Sequence, residues 1–480
     1  MVRTRLLAAA FAATAVAGCA RNPATGEREL MLVSTAQEIE MGREYDKQVV
    51  ATIGLYPDPG LQRYVQELGG RLAATSERQE LPWTFRVVDD PTVNAFALPG
   101  GFIYVTRGIM GHLNSEAQLA GVLGHEIGHV TARHSASQIS RQQLAGLGLA
   151  IGSIASSTIE RYAGIASQAL GVLFLKFSRD DENQADRLGL RYVQRTHYDP
   201  RQMPEVFRLL DRLSALQAGG GRLPEWLSTH PSPANRLERI NQQIAALEQD
   251  FSGMTVNREG YERRLDGMVF GMNPREGFFR GTEFLHPELR FRVSLPPGWS
   301  TFNSKQAVAA ISPERDAIVE LTLAEGTSAD QAARAFLSQE GLQAGTVSRG
   351  DVDGLPASGA PFAAATEQGV VRGTALFIEY GGAIYRLIAY SPEARWPAYQ
   401  AVAERALRSF APLSDPAVLA VQPQHLDVFT LDRRTTIAEL ARQRPSPVPA
   451  ATLALLNQVD VQTPLEPGRP IKWVVGLPLP

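Results

Sequence analysis

The stretch GVLGHEIGHVTARHS, residues 121–135, restricts the fold more than any other part of the chain. Placed on a helix at about 100° per residue, Leu119, Leu123, Ile127 and Val130 form one apolar stripe of the kind that faces a core. His125 and His129 lie well away from the centre of that stripe, and Gly121, Gly124 and Gly128 gather on a third side. Each glycine costs a helix about 1 kcal/mol relative to alanine, which makes sense where another backbone packs very close. The pattern predicts a helix enclosed on all sides, with two imidazoles aimed into a gap. Ser115 with Gln118 reads as a capping box at its start.

Residues four apart are neighbours on a helix surface, so His125 and His129 can each offer one nitrogen to a single Zn²⁺. Glu126, one step round, sits beside such a metal and not on it, where it can take a proton from the attacking water and hand it to the leaving amine. This is the H-E-x-x-H arrangement. A catalytic zinc of this kind takes three protein ligands and keeps one position open. Downstream, SRDDENQADRLGLRYV, residues 178–193, starts a helix on which Glu182 and Asp186 share a face with Ala185 and Gly189. The small residues let that helix approach the glycine side of the first. Glu182 is the expected third ligand, and Asp186 the carboxylate that accepts a hydrogen bond from a ligating histidine and holds its tautomer. Taken alone, Asp180, Asp181 and Glu182 read as first-turn acids favoured by the helix dipole; the histidine pair tips the balance.

The first nineteen residues, MVRTRLLAAAFAATAVAGC, combine Arg3 and Arg5 with an apolar run too short to span a membrane. They read as a cleaved export signal, residues 1–18, whose end resembles the bacterial lipobox. Lipid attachment at Cys19 follows from that resemblance, and Ala20 after it leans toward the outer membrane of the periplasm. Cys19 is the only cysteine, so the exported chain has no internal disulfide available. A net charge of -3 without a dense basic run removes the electrostatic footprint of nucleic-acid binding.

Within residues 19–250, TFRVV (84–88), NAFAL (94–98) and FIYVT (102–106) read as strands, the last two flanking the turn signal PGG. Residues 251–283 read as a linker. From 284 to 412 strands alternate with two helices, an α+β accessory domain that weakly resembles the mixed domain of some photosystem-associated proteins. The end of the chain, 413–480, is similar to the strand-helix-helix-strand LysM module that binds glycans, so peptidoglycan is a candidate partner.

Four motifs, NAFALPGGFIYVTRG, LAGVLGHEIGHVTARHS, DENQADRLGLRY and STHPSPANRLERI, closely resemble, in order and content, the zinc metalloendopeptidase family that includes the membrane protease HtpX, the CAAX prenyl proteases and the quality-control protease BepA. The resemblance implies an α+β chain led by a mainly helical zincin-type protease domain with a small β-sheet. It implies His125, His129 and Glu182 as ligands of one Zn²⁺ and Glu126 as general base and acid. It also raises His230, a loop histidine, to an active-site residue that either stabilises the tetrahedral oxyanion or occupies the open zinc position at rest, with Arg236 supporting its loop. Asn94, Ala95 and Phe96 become the candidate edge to which an extended polypeptide substrate adds as a strand. His112, His134, His197, His286 and His425 read as structural. The expected function is a lipid-anchored zinc endopeptidase of the bacterial envelope acting on misfolded or envelope proteins; the rivals are a catalytically quiet chaperone and a peptidoglycan-binding scaffold. The apolar run 144–175, whose only charges are Glu160 and Arg161, reads either as a mobile lid over the site or as buried core.

Overall fold

The computed structural model describes residues 19–148, 176–217, 226, 230, 235–366 and 369–478. The expected signal peptide and most of the apolar run 144–175 lie outside these residues. The chain is α+β and divides into two compact units, one built from the described residues up to 272 together with 424–476, the other from 273–423.

The first unit carries the histidine helix. Helix α1 (Thr35–Thr52) opens with a reciprocal capping box between Ser34 and Gln37, and α2 (Pro59–Ala73) is capped by Asp58 with Pro59 in its first turn, where its missing N–H costs nothing. Strands β1 (Thr84–Val88), β2 (Ala95–Leu98) and β3 (Phe102–Thr106) form a sheet in the order β1-β3-β2, β1 parallel and β2 antiparallel to β3. The PGG turn between β2 and β3 needs its glycines, because Gly100 and Gly101 have φ of 80° and 100°. Helix α3 (Arg107–His112) follows, then α4 (Glu116–Thr131), the helix of the opening motif. Every residue of α4 is buried. Ser115 caps it by accepting from the Gln118 N–H, but the Gln118 side chain reaches back to the Asn114 N–H (2.7 Å), so the expected reciprocal box is only half made.

Arg133 has φ 60° and turns the chain into α5 (His134–Gly148). Helix α6 (Arg179–Arg195) starts with a capping box between Ser178 and Asp181 and lies against the glycine side of α4. A Cβ on Gly124 would stand 3.1 Å from the Gly189 carbonyl oxygen, and one on Gly128 2.9 Å from that of Ala185. The glycines that weaken α4 as an isolated helix are what let α6 close on it. Helices α7 (Gln202–Gln217), α8 (Arg236–Ala245) and the short α9 (Arg258–Arg263) complete this part. The stretch expected to be a linker is built into the unit as far as residue 272, with Tyr261 and Leu265 fully buried.

The tail contributes β4 (Gln424–Thr430), α10 (Ile437–Gln443), α11 (Ala450–Leu456) and β5 (Pro470–Val475), in the expected strand-helix-helix-strand order, with β4 antiparallel to β5. Trp473, Ile471 and Leu453 belong to the same hydrophobic cluster as Leu119, Leu123 and Ile127 of α4. Near the start of the described chain, strands Cys19–Arg21 and Arg28–Leu30 pair, and the buried Asn22 amide donates to the Ala132 carbonyl just past α4 (3.1 Å).

The second unit is an antiparallel sheet in the order Ser300–Asn303, Ala307–Ile311, Ile318–Ala324, Ala383–Pro392, Gly369–Tyr380, Leu355–Thr366, Leu342–Ala344, with Ser348–Val352 also on Leu355–Thr366. Helix Ala329–Leu337 covers the face of Ile318, and helix Trp396–Leu407 that of Val319, as alternation along a strand requires. A smaller sheet joins Ala411–Pro412, Phe291–Ser294, Glu283–His286 and Phe278–Arg280. Among the described residues no helix is long and apolar enough to cross a membrane.

Candidate active site

Helix α4 brings His125 and His129 to one buried site, and α6 brings Glu182 and Asp186 to it; all four are buried. The Nε2 atoms of His125 and His129 lie 3.0 Å apart. Glu182 Oε2 is 3.6 Å from His125 Nε2, and Glu182 Oε1 is 3.4 Å from His129 Nε2. His230 completes the group, its Nδ1 2.9 Å from Glu182 Oε1 and 3.4 Å from His125 Nε2. One donor atom from each of the four lies within 4.8 Å of all the others.

The partners on the far side of each ring decide the tautomers. Asp186 Oδ1, 2.9 Å from His125 Nδ1, can only accept, so Nδ1 carries the proton and Nε2 keeps its lone pair. Asp186 is itself gripped by the Arg236 guanidinium, whose Nε and terminal nitrogen donate to the two carboxylate oxygens at 2.9 and 2.7 Å. On the other ring, His134 Nε2 faces Gln184 Oε1 at 2.6 Å, which leaves His134 Nδ1 to accept from His129 Nδ1 at 2.8 Å. His129 Nε2 therefore also keeps its lone pair. Two unprotonated nitrogens facing each other at 3.0 Å repel unless a cation lies between them, and a carboxylate oxygen stands on each side of the pair. The donor set fits a zinc ion. The Arg236–Glu182 approach points the same way: at 2.8 Å it lacks the alignment of a hydrogen bond, leaving Glu182 Oε2 without one.

Burial lowers the pKa of His125 and of His129, so both rings are neutral as ligands must be. For Glu182 burial works to raise the pKa, but the charge and hydrogen bond of His230 work against it, and the carboxyl is held well below its usual range. Burial opposes protonation of His230 as well, yet the Glu182 and Glu126 charges raise its pKa. Glu126 stands apart from the donor group. Its Oε1 takes the Trp226 indole N–H at 3.4 Å and lies 3.7 Å from His230 Nε2.

Of the residues singled out in the sequence, His125, Glu126, His129, Glu182, Asp186, His230 and Arg236 come together here. Asn94, Ala95 and Phe96 lie at the outer strand of the small sheet. Ala95 and Phe96 pair with β3, Asn94 is bonded to Thr106, and Phe96 stacks on Tyr104 at 4.8 Å. Two residues escaped the sequence reading. His134 looked structural because helical spacing turns it away from His129, and Trp226 stands in a stretch with no periodic signal.

Residues 59–244 match the sequence model of Peptidase family M48. The likeness to that family covers this segment of the chain. Over 236 residues, 46% of the chain, it is 35% identical to the beta-barrel assembly-enhancing protease of Yersinia pestis and 34% to that of Escherichia coli K12. The match takes in 48% and 47% of those proteins, so the chain spans about half the length of the curated relatives it matches. The mitochondrial metalloendopeptidase OMA1 of Schizosaccharomyces pombe is 31% identical over 226 residues, 46% of the chain and 65% of its own length. Among solved structures, cyanobacterial PsbP from Synechocystis is similar over 28% of the chain and 94% of its own, at 17% identity and a TM-score of 0.24.

Proposed function

We propose that the chain is a zinc-dependent endopeptidase of the bacterial cell envelope that cuts misfolded or envelope proteins. The observation that carries this reading is the pair of Nε2 lone pairs facing each other at 3.0 Å with the Glu182 carboxylate beside them and the Glu126 carboxylate one residue along. His125, His129 and Glu182 hold the metal. Asp186, clamped by Arg236, keeps His125 in the ligating tautomer. The metal, when bound, supplies Lewis acidity that polarises the scissile carbonyl and acidifies water. Glu126 removes the proton from the attacking water and delivers it to the leaving nitrogen. The outer strand around Asn94, Ala95 and Phe96 holds the extended substrate through its backbone.

His230 has two readings from sequence, oxyanion stabiliser or resting occupant of the open position. Its nitrogen at 2.9 Å from Glu182 and 3.4 Å from His125 favours the second: at rest His230 would join the three residues that would hold the metal, and substrate would have to displace it. Lipid attachment at Cys19 anchors the enzyme, and with Asn22 already bonded to the end of α4 little chain separates the anchor from the peptidase. The tail binds peptidoglycan as a LysM-like module, and residues 19–250, 284–412 and 413–480 serve as peptidase, accessory and glycan-binding regions.

The test pairs two variants. Glu126→Gln should keep zinc, measured by metal analysis, while cleavage of casein falls by about 10²- to 10⁴-fold. Glu182→Ala should lose the metal. Loss of zinc in the first variant, or full occupancy in the second, would overturn these roles.

A further inference from the structure

The residue that fills the space beside His125 is one of the protein's own. The Trp226 indole is buried against α4 and α7, where it lines a small void together with Gly121, Val122, Met203, Val206, Phe207 and His125. It is near-parallel to the Phe207 ring (14°, centroids 6.4 Å apart) and edge-on to His125 (5.6 Å). The cavity left around it is only about 10 Å³, at or below what one water needs. The space is thus indole-sized, with an apolar wall from α4 and α7, the His125 imidazole edge-on, the Arg236 guanidinium over the ring at 5.9 Å and the Glu126 carboxylate at the indole N–H.

Trp226 also makes the main-chain contact expected of a peptide. Its backbone N–H donates toward the Val93 carbonyl at 3.4 Å, two residues ahead of β2, while its indole N–H meets the general-base candidate Glu126. The His230 N–H donates to the Trp226 carbonyl at 2.8 Å, so the side chain in the pocket and the imidazole among the metal donors belong to one hydrogen-bonded unit.

We propose that Trp226 stands in the pocket that receives the substrate side chain next to the scissile bond, and that the emptied pocket selects a large aromatic or aliphatic residue there. This rests on the endopeptidase reading and adds its specificity. The physical reason is the fit. A chain with a side chain comparable to indole regains the contacts that Trp226 gives up, whereas alanine leaves an unfilled apolar cavity. Polar side chains that cannot reach Glu126 bury unpaired groups in the same space.

The test separates binding from catalysis. Full-length protein carrying Glu126→Gln and loaded with zinc is titrated calorimetrically with two peptides that differ only in phenylalanine or alanine at the central position, with Trp226 present or changed to alanine. With Trp226 intact both peptides should bind weakly. With Trp226→Ala the phenylalanine peptide should bind at least about tenfold tighter than the alanine peptide, a margin that one or two methylenes in an apolar pocket supply, and free indole should compete with it. Equal affinities, or no competition by indole, would overturn the proposal. Trp226→Leu covers the case in which the alanine variant fails to fold, and should show the same order with a smaller margin. Cleavage is read separately with Glu126 intact: zinc-loaded Trp226→Ala that hydrolyses neither peptide counts against the peptidase reading, while hydrolysis without preference for phenylalanine counts against the pocket.

Discussion

At the scale of single residues, the site depends on which nitrogen of each imidazole carries the proton. His125 is held by a carboxylate, Asp186, and His129 by a neutral ring, His134, which Gln184 in turn orients. Groups that hold a ligating histidine typically account for 10- to 100-fold in metal affinity. His134→Phe, which removes the acceptor and keeps the ring volume, should therefore weaken zinc binding by about 10- to 100-fold in competition with a chelator, and His134→Asn, which restores an acceptor, should recover part of it. A purely structural His134 would show equal loss of thermal stability in both variants with zinc affinity unchanged.

At the scale of elements, the candidate donor group exists only because α4 and α6 approach to backbone distance. Gly124 opposes Gly189, and Gly128 opposes Ala185. A methyl at Gly128 would sit 2.9 Å from the Ala185 carbonyl oxygen and 3.0 Å from its Cα, and backbone cannot swing aside as a side chain would. Gly128→Ala should gain about 1 kcal/mol in helix propensity and lose about 1–3 kcal/mol to overpacking. The expected net result is a lower melting temperature together with weaker zinc binding, because α6 carries Glu182 and Asp186. Unchanged metal affinity would mean that the helices accommodate the methyl without displacing the ligands. An alanine at Gly70, where a Cβ would meet nothing within 4 Å, is the control and should be neutral or stabilising.

At the scale of the molecule, the tail is part of the unit that carries the site. Lys472 of β5 is fully buried, and its ammonium donates to the carbonyls of Gly111 (2.6 Å) and Leu113 (2.7 Å), just ahead of α4. Burial pushes its pKa down to about 7, against the attraction of Glu262, while Arg258 adds to the decrease. Between about pH 7 and the ordinary lysine value of 10.5 the unfolded chain binds a proton at this position that the folded protein does not, so this group makes stability rise with pH across that window. Below pH 7 both states are protonated and the contribution is flat. Relative to Lys472→Met, the wild-type chain should gain up to about 1.4 kcal/mol per pH unit above 7, read from denaturant melts at pH 6, 7, 8 and 9. A constant difference would show that Lys472 stays charged when folded. Because Trp473, Ile471 and Leu453 share a core with α4, removing the tail should also destabilise the peptidase, so a glycan-binding role is better tested with surface substitutions than with a deletion.

What could be read from the sequence is what repeats locally. The stripe Leu119, Leu123, Ile127 and Val130, the pair His125 and His129, and the shared face of Glu182 and Asp186 all follow from one helical period, and the PGG turn and the cap at Ser115 follow from backbone chemistry within four residues. The approach of two helices was legible as well, because Gly124 and Gly128 face the backbone of α6, whereas Gly121, read as part of the same side, faces the Met203 side chain of α7. The rest depends on contacts between residues far apart in the chain. His134 reaches His129 because Arg133 takes a left-handed φ, which breaks the period that would have turned it away. Trp226 reaches Glu126 across 100 residues, and Lys472 reaches Gly111 across 361. No periodicity encodes such pairs; they are decided by the shape of the space that the packed helices leave, and only the tertiary structure defines that space.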